Sequence, residues 1–353
     1  MPKLKNHKVW LTTLIVGLTI FLFTSPSPCR LMLPPSLADV RAFTEKSPLV
    51  FRGHVIAVTP ATTNTGPGTN NEFIANIQVD RWYRGSRSAP AVLHFSYSGR
   101  IVADGHDCID FRPETYWIVF AKNQGQLEPI DDCEGALAVS PLLGPDLGNV
   151  DWRAQMEADF LAGLNDPDSE ARLASIQRLG GLKLSSSREA LHRVIENGDD
   201  ADSKWAVYAT LRTGDLTVLP LVRQILARGD RELPEWAISM ELQSITDPSA
   251  VPELITILNS APGDATRSRI LITLGEKLRD PRAVPSLAAH LSDPDRSARY
   301  DALDGLKNMT HEPACTLPPE WKEQDIEPQI AHCKIWWEQA GKFRNWTQPE
   351  NLR

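Results

Sequence analysis

The sequence predicts two parts in one chain, a small all-β domain followed by an all-α region of helical repeats. Three observations lead to this prediction. The length of 353 residues is enough for two domains of ordinary size. Residues 49–121 contain short runs of β-forming residues between turn residues, and residues 166–299 contain a pattern that recurs at a nearly fixed spacing.

Composition and charge exclude several classes of protein. Apolar residues make up 42% of the chain and charged residues 23%, which is typical of globular proteins and not of disordered or collagen-like chains. The formal net charge is −8, because 45 acidic residues outnumber 37 basic ones. An acidic body repels the phosphates of nucleic acids, so we expect no nucleic-acid partner.

Residues 1–28 are typical of an export signal, because three lysines precede the uncharged apolar residues 9–23. As a helix, the apolar run spans roughly 22 Å, which is shorter than a hydrocarbon core of about 30 Å and favours a signal peptide. The small residues at the usual cleavage positions are only Ser25 and Ser27, and Pro28 follows directly. The alternative is an uncleaved anchor that attaches the protein to a membrane through residues 9–23. Both alternatives predict an exported protein, in the cell envelope or outside the cell.

The five cysteines fit an oxidising compartment, since none belongs to a Cys-x-x-Cys pair. Their spacing predicts one disulfide between Cys108 and Cys133 and a second between Cys315 and Cys333, and leaves Cys29 in or beside the signal. Each disulfide contributes about 3 kcal/mol by closing a loop of the unfolded chain.

The C-terminal cysteines also allow a zinc site as an alternative. His311, Cys315, His332 and Cys333 are residue types that bind Zn²⁺ tetrahedrally. Because His332 and Cys333 are adjacent, their side chains on a helix point about 100° apart, which suits one ligand better than two. We therefore expect the disulfide, and we expect no metal or other cofactor.

Residues 38–145 are predicted to form the β domain. Four runs of β-forming residues are separated by turn residues, and a Thr-, Gly- and Asn-rich loop over residues 59–71 joins the first two. Short strands at this spacing predict a small barrel or sandwich. The runs lie at residues 49–58, 73–83, 91–97 and 116–121.

Several short stretches of the β domain carry a family resemblance. They are Phe51-Arg52-Gly53-x-Val55, Val79-x-x-Trp82-Tyr83-Arg84-Gly85, Asp107-Cys108, residues 116–121, Gly125-x-Leu127 and Cys133. In these stretches the domain resembles the netrin-like (TIMP-like) domain. The resemblance implies a five-stranded OB-type barrel stapled by disulfides, and it permits Cys29 to pair with Cys108 or Cys133 in place of the local bridge. Inhibitors of that family bind a metalloprotease zinc through an amino-terminal Cys, but Cys29 lacks the family's Cys-x-Cys start, so inhibition is not carried over.

The second half of the chain contains a pattern that recurs at offsets of 32 and 33 residues. Each copy starts with an aspartate that can cap a helix and contains a proline that suits the first turn of a helix. The copies are Asp215-Leu-Thr-Val218-Leu219-Pro220, Asp247-Pro-Ser-Ala250-Val251-Pro252 and Asp280-Pro-Arg-Ala283-Val284-Pro285. A second pattern, Asp166-Pro-Asp-x-x-Ala-Arg172, returns as Asp293-Pro-Asp-x-x-Ala-Arg299.

Residues 152–310 resemble HEAT repeats of a short type in these patterns. The resemblance implies helical hairpins stacked into a solenoid of the armadillo-like kind, and a solenoid presents a continuous surface for partners. The segment 141–151 is predicted to be the linker between the two domains, and residues 311–353 a capping helix, at 326–343, with its tail. The predicted first helices cover residues 168–179, 202–212, 234–245, 266–278 and 296–307, and the second helices 187–196, 219–227, 251–259 and 284–291.

The sequence contains no recognisable catalytic constellation, so we expect a non-enzymatic protein. The favoured interpretation is an exported binding or scaffold protein that contacts a protein or peptide partner through the second helices. The polar residues predicted for that surface are Arg223, Gln224, Arg228, Glu253, Thr256 and His290. The alternative is an inhibitor-like or enzyme-modulating protein acting through the netrin-like domain. A third interpretation is a bilin-lyase-like HEAT protein, against which the export signal argues.

Overall fold

A computed structural model describes most of the chain from Asp39 onwards. The described residues are 39–61, 71–85, 92–99, 109, 111–122, 127–130, 135–148, 150–229, 233, 235–260, 263–317 and 326–347. They belong to one compact unit, residues 35–353. The predicted signal or anchor, Cys29 and the Cys108–Cys133 pair lie outside the described residues.

Five strands form one antiparallel sheet with the order β3-β2-β1-β4-β5. The first four strands coincide with the predicted runs. The three-residue strand β5 and a short helix before the sheet, α1 (Val40–Lys46), were not predicted, because each is too short to show a period. The strands are β1 (Leu49–Pro60), β2 (Asn71–Arg84), β3 (Val92–Gly99), β4 (Tyr116–Ala121) and β5 (Ala136–Ala138).

A short segment, residues 127–130, connects the edge strand β3 to the end of β4 on the other side of β1 and β2. Leu127 bridges to Phe95 of β3 in parallel, and its carbonyl accepts a hydrogen bond from the Ser96 N–H at 3.1 Å. Pro129 bridges to Ala121 at the end of β4. The sheet therefore curls around its inward side chains, which form one buried core. That core includes Phe51, Val55, Ala75, Ile77, Leu93, Phe95, Phe111, Val119 and Leu127.

The outer face of the sheet carries two neighbouring arginines that hold the following chain segment. Arg52 and Arg81 are cross-strand partners of β1 and β2. Arg52, which is buried, donates to the carbonyls of Ser140 and Leu142 at 2.6 and 2.8 Å, and Arg81 donates to the carbonyl of Gly144 at 3.1 Å. Residues 140–148, which we call the strap, are thus fixed to the sheet by hydrogen bonds to charged groups, the stronger kind of hydrogen bond.

A buried carboxylate joins the strap and the sheet to the first long helix. Asp159 lies in α2 (Trp152–Gly163), and its side chain is 0% exposed. It forms an ion pair with Arg81, and it accepts hydrogen bonds from the Tyr83 hydroxyl at 2.7 Å and the Gly144 N–H at 2.9 Å. Because every donor around this carboxylate is supplied by the sheet or the strap, the sheet and the helical region meet through a specific polar contact.

Gly144 is required at this point of the strap by close packing. A Cβ atom at this position would lie 2.3 Å from the backbone oxygen of Ala158 in α2, a distance at which atoms overlap. The strap carries the Gly- and Pro-rich composition predicted for a linker, and here that composition allows close contact with a helix.

The helical region follows the predicted two-helix units closely. The first helices are α3 (Ser169–Leu182), α5 (Asp200–Arg212), α7 (Glu235–Ser244), α9 (Asp264–Ile272) and α11 (Arg296–Thr310). The second helices are α4 (Arg188–Asn197), α6 (Leu219–Arg228), α8 (Val251–Asn259) and α10 (Val284–His290). A π-helical turn, Thr273–Leu278, continues α9. The predicted fold class, a small sheet domain followed by a helical solenoid, is confirmed.

The repeated aspartates cap helical turns, as their spacing predicts. Asp215, Asp247 and Asp280 each accept a hydrogen bond from the N–H two residues later, which opens a short 3₁₀ turn before the second helix. Asp168 and Asp295 accept from the N–H three residues later at the start of first helices. Capping by aspartate satisfies N–H groups that have no partner within the helix, at about 1 kcal/mol each.

First helices of successive units approach closely where small residues face each other. A Cβ atom at Gly275 would lie 2.4 Å from the Cα atom of Gly305 in α11, and one at Gly180 of α3 would lie 2.8 Å from the Cα atom of Ala209 in α5. Backbone contact at this distance leaves no room for larger side chains. The stacking of the units is therefore fixed by residue size as well as by apolar burial.

The fifth unit continues the repeat up to the C-terminal region. Residues Pro313–Cys315 form a 3₁₀ turn 32 residues after the equivalent turn Pro281–Ala283. The helix α12 (Ile326–Gln339) contacts both this turn and α11, as a second helix would. The predicted capping helix is thus present. It is the second helix of the fifth unit, and a longer stretch of sequence separates it from the turn than in the earlier units.

The predicted disulfide between Cys315 and Cys333 is present, with the two Cα atoms 4.5 Å apart. It links the 3₁₀ turn to α12, and both cysteines are buried. With both sulfur atoms in this bond, neither is a thiolate that can bind zinc, so the alternative zinc site is not formed.

In the part of the chain that the structure describes, no helix is both long enough and apolar enough to cross a membrane.

We predict that Asp159→Ala lowers the free energy of unfolding by about 3–5 kcal/mol, because it leaves Arg81 buried without its ionic partner. Tyr83→Phe removes only one hydroxyl donor from the same cluster and should cost about 1 kcal/mol. Urea unfolding followed by tryptophan fluorescence measures both values. An Asp159→Ala protein as stable as the Tyr83→Phe protein would show that the cluster does not join the two parts.

Candidate interaction surface

The exposed sides of α4, α6, α8 and α10 form the surface that the sequence proposes for a partner, which we call the second-helix face. In α8, the apolar side chains of Val251, Leu254 and Ile257 are buried against the rest of the solenoid. Thr256 lies on the opposite side of the same helix and is exposed. The amphipathic pattern therefore sets which side chains this face presents.

The structure brings two of the six predicted residues together. Arg223 of α6 donates to a carboxylate oxygen of Glu253 in α8 at 3.1 Å, so this pair connects successive second helices. Both side chains are partly exposed, at 39% and 27%, and an ion pair of this kind contributes at most about 1 kcal/mol.

The other four predicted residues do not contact one another in a common site. Gln224 and Arg228 are exposed on α6. The Thr256 hydroxyl donates to the carbonyl of Pro252 at 2.9 Å, and His290 Nδ1 lies 2.9 Å from the carbonyl of Ser286. The second-helix face therefore offers separate polar groups along a row rather than a pocket with converging groups.

A groove next to α4 lies beyond the predicted residues. It has a volume of about 620 Å³ and runs between the end of α2 and α4. Leu161, Leu164 and Val194 supply apolar lining, and Glu189, Arg193 and Asn197 supply polar groups. The sequence analysis missed it because α2 has no place in the recurring pattern, so a groove beside α2 could not be inferred from that pattern.

Two arginines at the starts of first helices pair with carboxylates of later helical segments, which the sequence analysis also missed. Arg172 donates to the Asp166 carbonyl at 3.1 Å and forms ion pairs with Asp199 and Asp202 of the next unit. The hydrogen bond to Asp202 and the charges of both aspartates raise the pKa of Arg172.

The last unit repeats this arrangement at the equivalent position. Arg299 donates to the Asp293 carbonyl at 2.9 Å and pairs with Glu327 of α12. Both arginines close the second recurring pattern of the sequence, at Arg172 and Arg299. Their recurrence was a usable signal, since each arginine pairs with a carboxylate of a later helical segment.

Asp301 of α11 lies in an unfavourable place for a charged carboxylate. It accepts a hydrogen bond from the Ser268 hydroxyl of α9, and Glu276, Asp295 and Asp304 add negative charge around it. Burial, aided by those neighbouring charges, raises the pKa of Asp301 to about 6. When Asp301 is ionised, the negative charges of this cluster repel one another and lower the stability of the folded protein. The carboxylates of the cluster do not form a metal site.

Within the described residues, no three His, Cys, Asp or Glu side chains are placed to hold a metal ion. His192 is the histidine on a second helix that contacts a carboxylate, with Nε2 3.0 Å from Asp215. Burial alone would raise the pKa of Asp215, but hydrogen bonds from Thr217 and His192 hold it below its usual value. Because Asp215 already caps the 3₁₀ turn before α6, this pair has a structural role.

Comparison with known protein families identifies part of the helical region. Residues 219–307 match HEAT repeats. The matched range begins at α6 and ends within α11, so it covers the central part of the solenoid described above. The segments on either side of this range contain helices and capped turns of the same arrangement.

Two further comparisons add little to this finding. A search among the curated proteins yields no match. Among the solved structures, the chain is similar to the complex of CpcE and CpcF of phycocyanin lyase from Nostoc sp. PCC7120, with 21% sequence identity and a TM-score of 0.35. The alignment covers 49% of this chain and 68% of that chain. A superposition at that TM-score supports no conclusion about the function of this chain.

We predict that Asp301→Asn stabilises the protein above pH 6. The folded-state pKa of this carboxyl is above its usual value of 3.8, so its stabilising contribution is complete below about pH 4 and is lost as the pH rises through about 6. Because the side chain is partly exposed, the gain at pH 7.5 should be roughly 1 kcal/mol.

Urea unfolding of both proteins between pH 4 and pH 8 measures this difference. The control is Asp200→Asn, at a carboxyl whose side chain is 77% exposed, and it should show no such pH-dependent gain. A gain for Asp301→Asn that is the same at pH 4 and pH 8 would contradict the raised pKa.

Proposed function

We propose that this protein is an exported, non-enzymatic scaffold whose second-helix face binds a protein partner. HEAT repeats commonly bind other proteins, and solenoids do so along an extended surface. The observation that supports this proposal best is the row of exposed polar side chains on α6 and α8. A row of separate groups suits an extended protein surface better than a small substrate.

The proposed location outside the cytoplasm rests on one sequence feature and one structural feature. The apolar residues 9–23 follow three lysines, which is typical of a signal or an anchor. The Cys315–Cys333 disulfide supports an oxidising compartment, because such bonds rarely persist in the cytosol. N-terminal sequencing of the mature protein distinguishes cleavage from anchoring.

We further propose that the sheet domain is netrin-like. Its support is the strand order, with β1 between β2 and β4, and the segment 127–130, which bridges to β3 through Leu127 and to the end of β4 through Pro129. An inhibitor-like activity through this domain is the alternative function. It requires a mature chain that starts at Cys29, so the same N-terminal sequencing tests it.

Site-specific photo-crosslinking in the full chain tests the scaffold proposal. A benzoylphenylalanine placed at position 224 or 256, on the second-helix face, should capture the same partner protein in the producing cells. The control position is 279, which is exposed at the end of the π-helical turn that continues α9 and is not part of a second helix.

Charge reversal then tests whether capture reflects binding. Arg228→Glu should weaken the captured partner's affinity about tenfold, whereas Arg279→Glu should leave it unchanged. Capture of that partner equally from position 279, or no effect of Arg228→Glu, would show that the second-helix face is not the binding surface.

A further inference from the structure

The last helix of the solenoid differs from the earlier second helices because large apolar side chains are exposed on it and directly after it. Ile335 of α12 is 53% exposed, and Phe343, in the 3₁₀ turn that follows α12, is 75% exposed. Among the described residues of α4, α6, α8 and α10, no large apolar side chain reaches this exposure. The end unit of a solenoid ordinarily has a polar outer face, because no further unit covers it. We therefore expect another molecule to cover this apolar end.

The turn that carries Phe343 is fixed to α12 by aromatic contacts. The Trp346 indole N–H donates to the Gly341 carbonyl at 2.9 Å, and the rings of Trp337 and Trp346 stack with their centroids 6.4 Å apart. Lys342 Nζ lies 5.3 Å from the centroid of the Phe343 ring, and Phe343 remains largely exposed beside this contact. Phe343 is therefore a projection in a fixed place, and its burial by another molecule costs less conformational entropy than the ordering of a mobile tail.

A cavity of about 300 Å³ lies on the same helix, before this projection. Ile335 borders it and is more than half exposed, so the cavity offers apolar surface that another molecule can reach. Its volume is at the lower end of the range for ligand sites, which suits a single large side chain. The lining residues are Ala314, His332, Ile335, Trp336, Gln339 and Ala340.

The projection and the cavity are close enough to complement each other in two copies of this chain. Gln339 lines the cavity, and Phe343 follows only four residues later. From Trp336 to Phe343 the chain advances about 10 Å at the rise of a helix. Two copies with antiparallel α12 helices can each place Phe343 in the cavity of the other, with the two-fold axis near Gln339 and Ala340. Neither of these two residues is charged, and a glutamine amide offers its copy both a donor and an acceptor, so the axis brings no like charges together.

We propose that the C-terminal end of the solenoid is a dimer interface, in which Phe343 of each copy occupies the cavity beside Ile335 of the other copy. The contact covers the two exposed apolar side chains of this end at once, and a buried aromatic anchor is the kind of group that dominates binding at interfaces. A second copy fits better than an unrelated partner, because one chain carries both the projection and the cavity. Their closeness allows a closed two-fold dimer, whereas a projection far from its cavity would link copies into an open chain.

This interface goes beyond the proposed function, since it lies on α12 and the following turn and does not use the second-helix face. Sedimentation equilibrium of the full chain tests it, and the unmodified protein should show a reversible equilibrium between monomer and dimer. Phe343→Ser should weaken association about a hundredfold or more, because each dimer loses the contact twice. Ile335→Ser should also weaken association, by a smaller factor. The control Met240→Ser changes an apolar side chain of α7 that is 42% exposed, and it should leave association unchanged.

Photo-crosslinking between isotope-labelled copies tests the geometry of the interface. Full chains with benzoylphenylalanine in place of Phe343 are mixed as ¹⁴N and ¹⁵N forms, so that mass spectrometry separates links between copies from links within one copy. Position 343 should link to residues 332–340 of the other copy, and the mixed-isotope product should be prominent. Benzoylphenylalanine at position 240 should give no link between copies.

A protein that stays monomeric up to about 100 μM, where even a weak dimer forms, would overturn the proposal. Association that persists unchanged in both Phe343→Ser and Ile335→Ser would overturn it as well, because another part of the chain would then hold the copies together. The same holds for links from position 343 that stay within one copy. Since the substituted residues lie outside the second-helix face, failure here leaves the crosslinking test of the scaffold function unaffected.

Discussion

The buried ion pair between Arg81 and Asp159 is the contact on which the arrangement of this protein depends. Asp159 has no exposed side-chain surface, and its donors come from a strand, the strap and a neighbouring tyrosine. Burial raises the pKa of Asp159, and the Tyr83 hydroxyl and the guanidinium groups of Arg81 and Arg52 oppose that rise. Burial also raises the pKa of Tyr83, further increased by the charge of Asp159, so its hydroxyl remains a donor. Such a cluster specifies one geometry, because a shifted helix would leave charged groups buried without partners.

Polar contacts continue from this ion pair through the strap into the helical units. The strap that Arg52 and Arg81 hold also reaches the first helical unit, where the Ser140 hydroxyl donates to Asp166 at 2.5 Å. Asp166 in turn accepts from the N–H of Asp168, which caps α3. From there, Arg172 continues to Asp199 and Asp202 of the next unit. A chain of polar contacts therefore runs from the sheet into the solenoid, and it sets where the first unit starts.

The parts of the fold that follow a period could be predicted from the sequence, and the parts that depend on single contacts could not. The caps at Asp247 and Asp280 and the helices after them are local, so spacing alone located them to within a few residues. The role of Arg52 could not be found this way, because an arginine in a strand is ordinarily solvated and its acceptors lie about 90 residues away in sequence. The six residues proposed for the surface lie on α6, α8 and α10, and only the structure shows that Arg223 and Glu253 pair with each other.

Hydrogen exchange of the unmodified protein, followed by mass spectrometry, tests the central role of the buried cluster most directly. If Asp159 joins the sheet to the solenoid, the protected amides of β1 and β2 and those of α2 should open together, with the same free energy of opening. A free energy of opening for β1 and β2 that differs clearly from that of α2 would contradict the account. The sheet and the helix would then unfold as independent units.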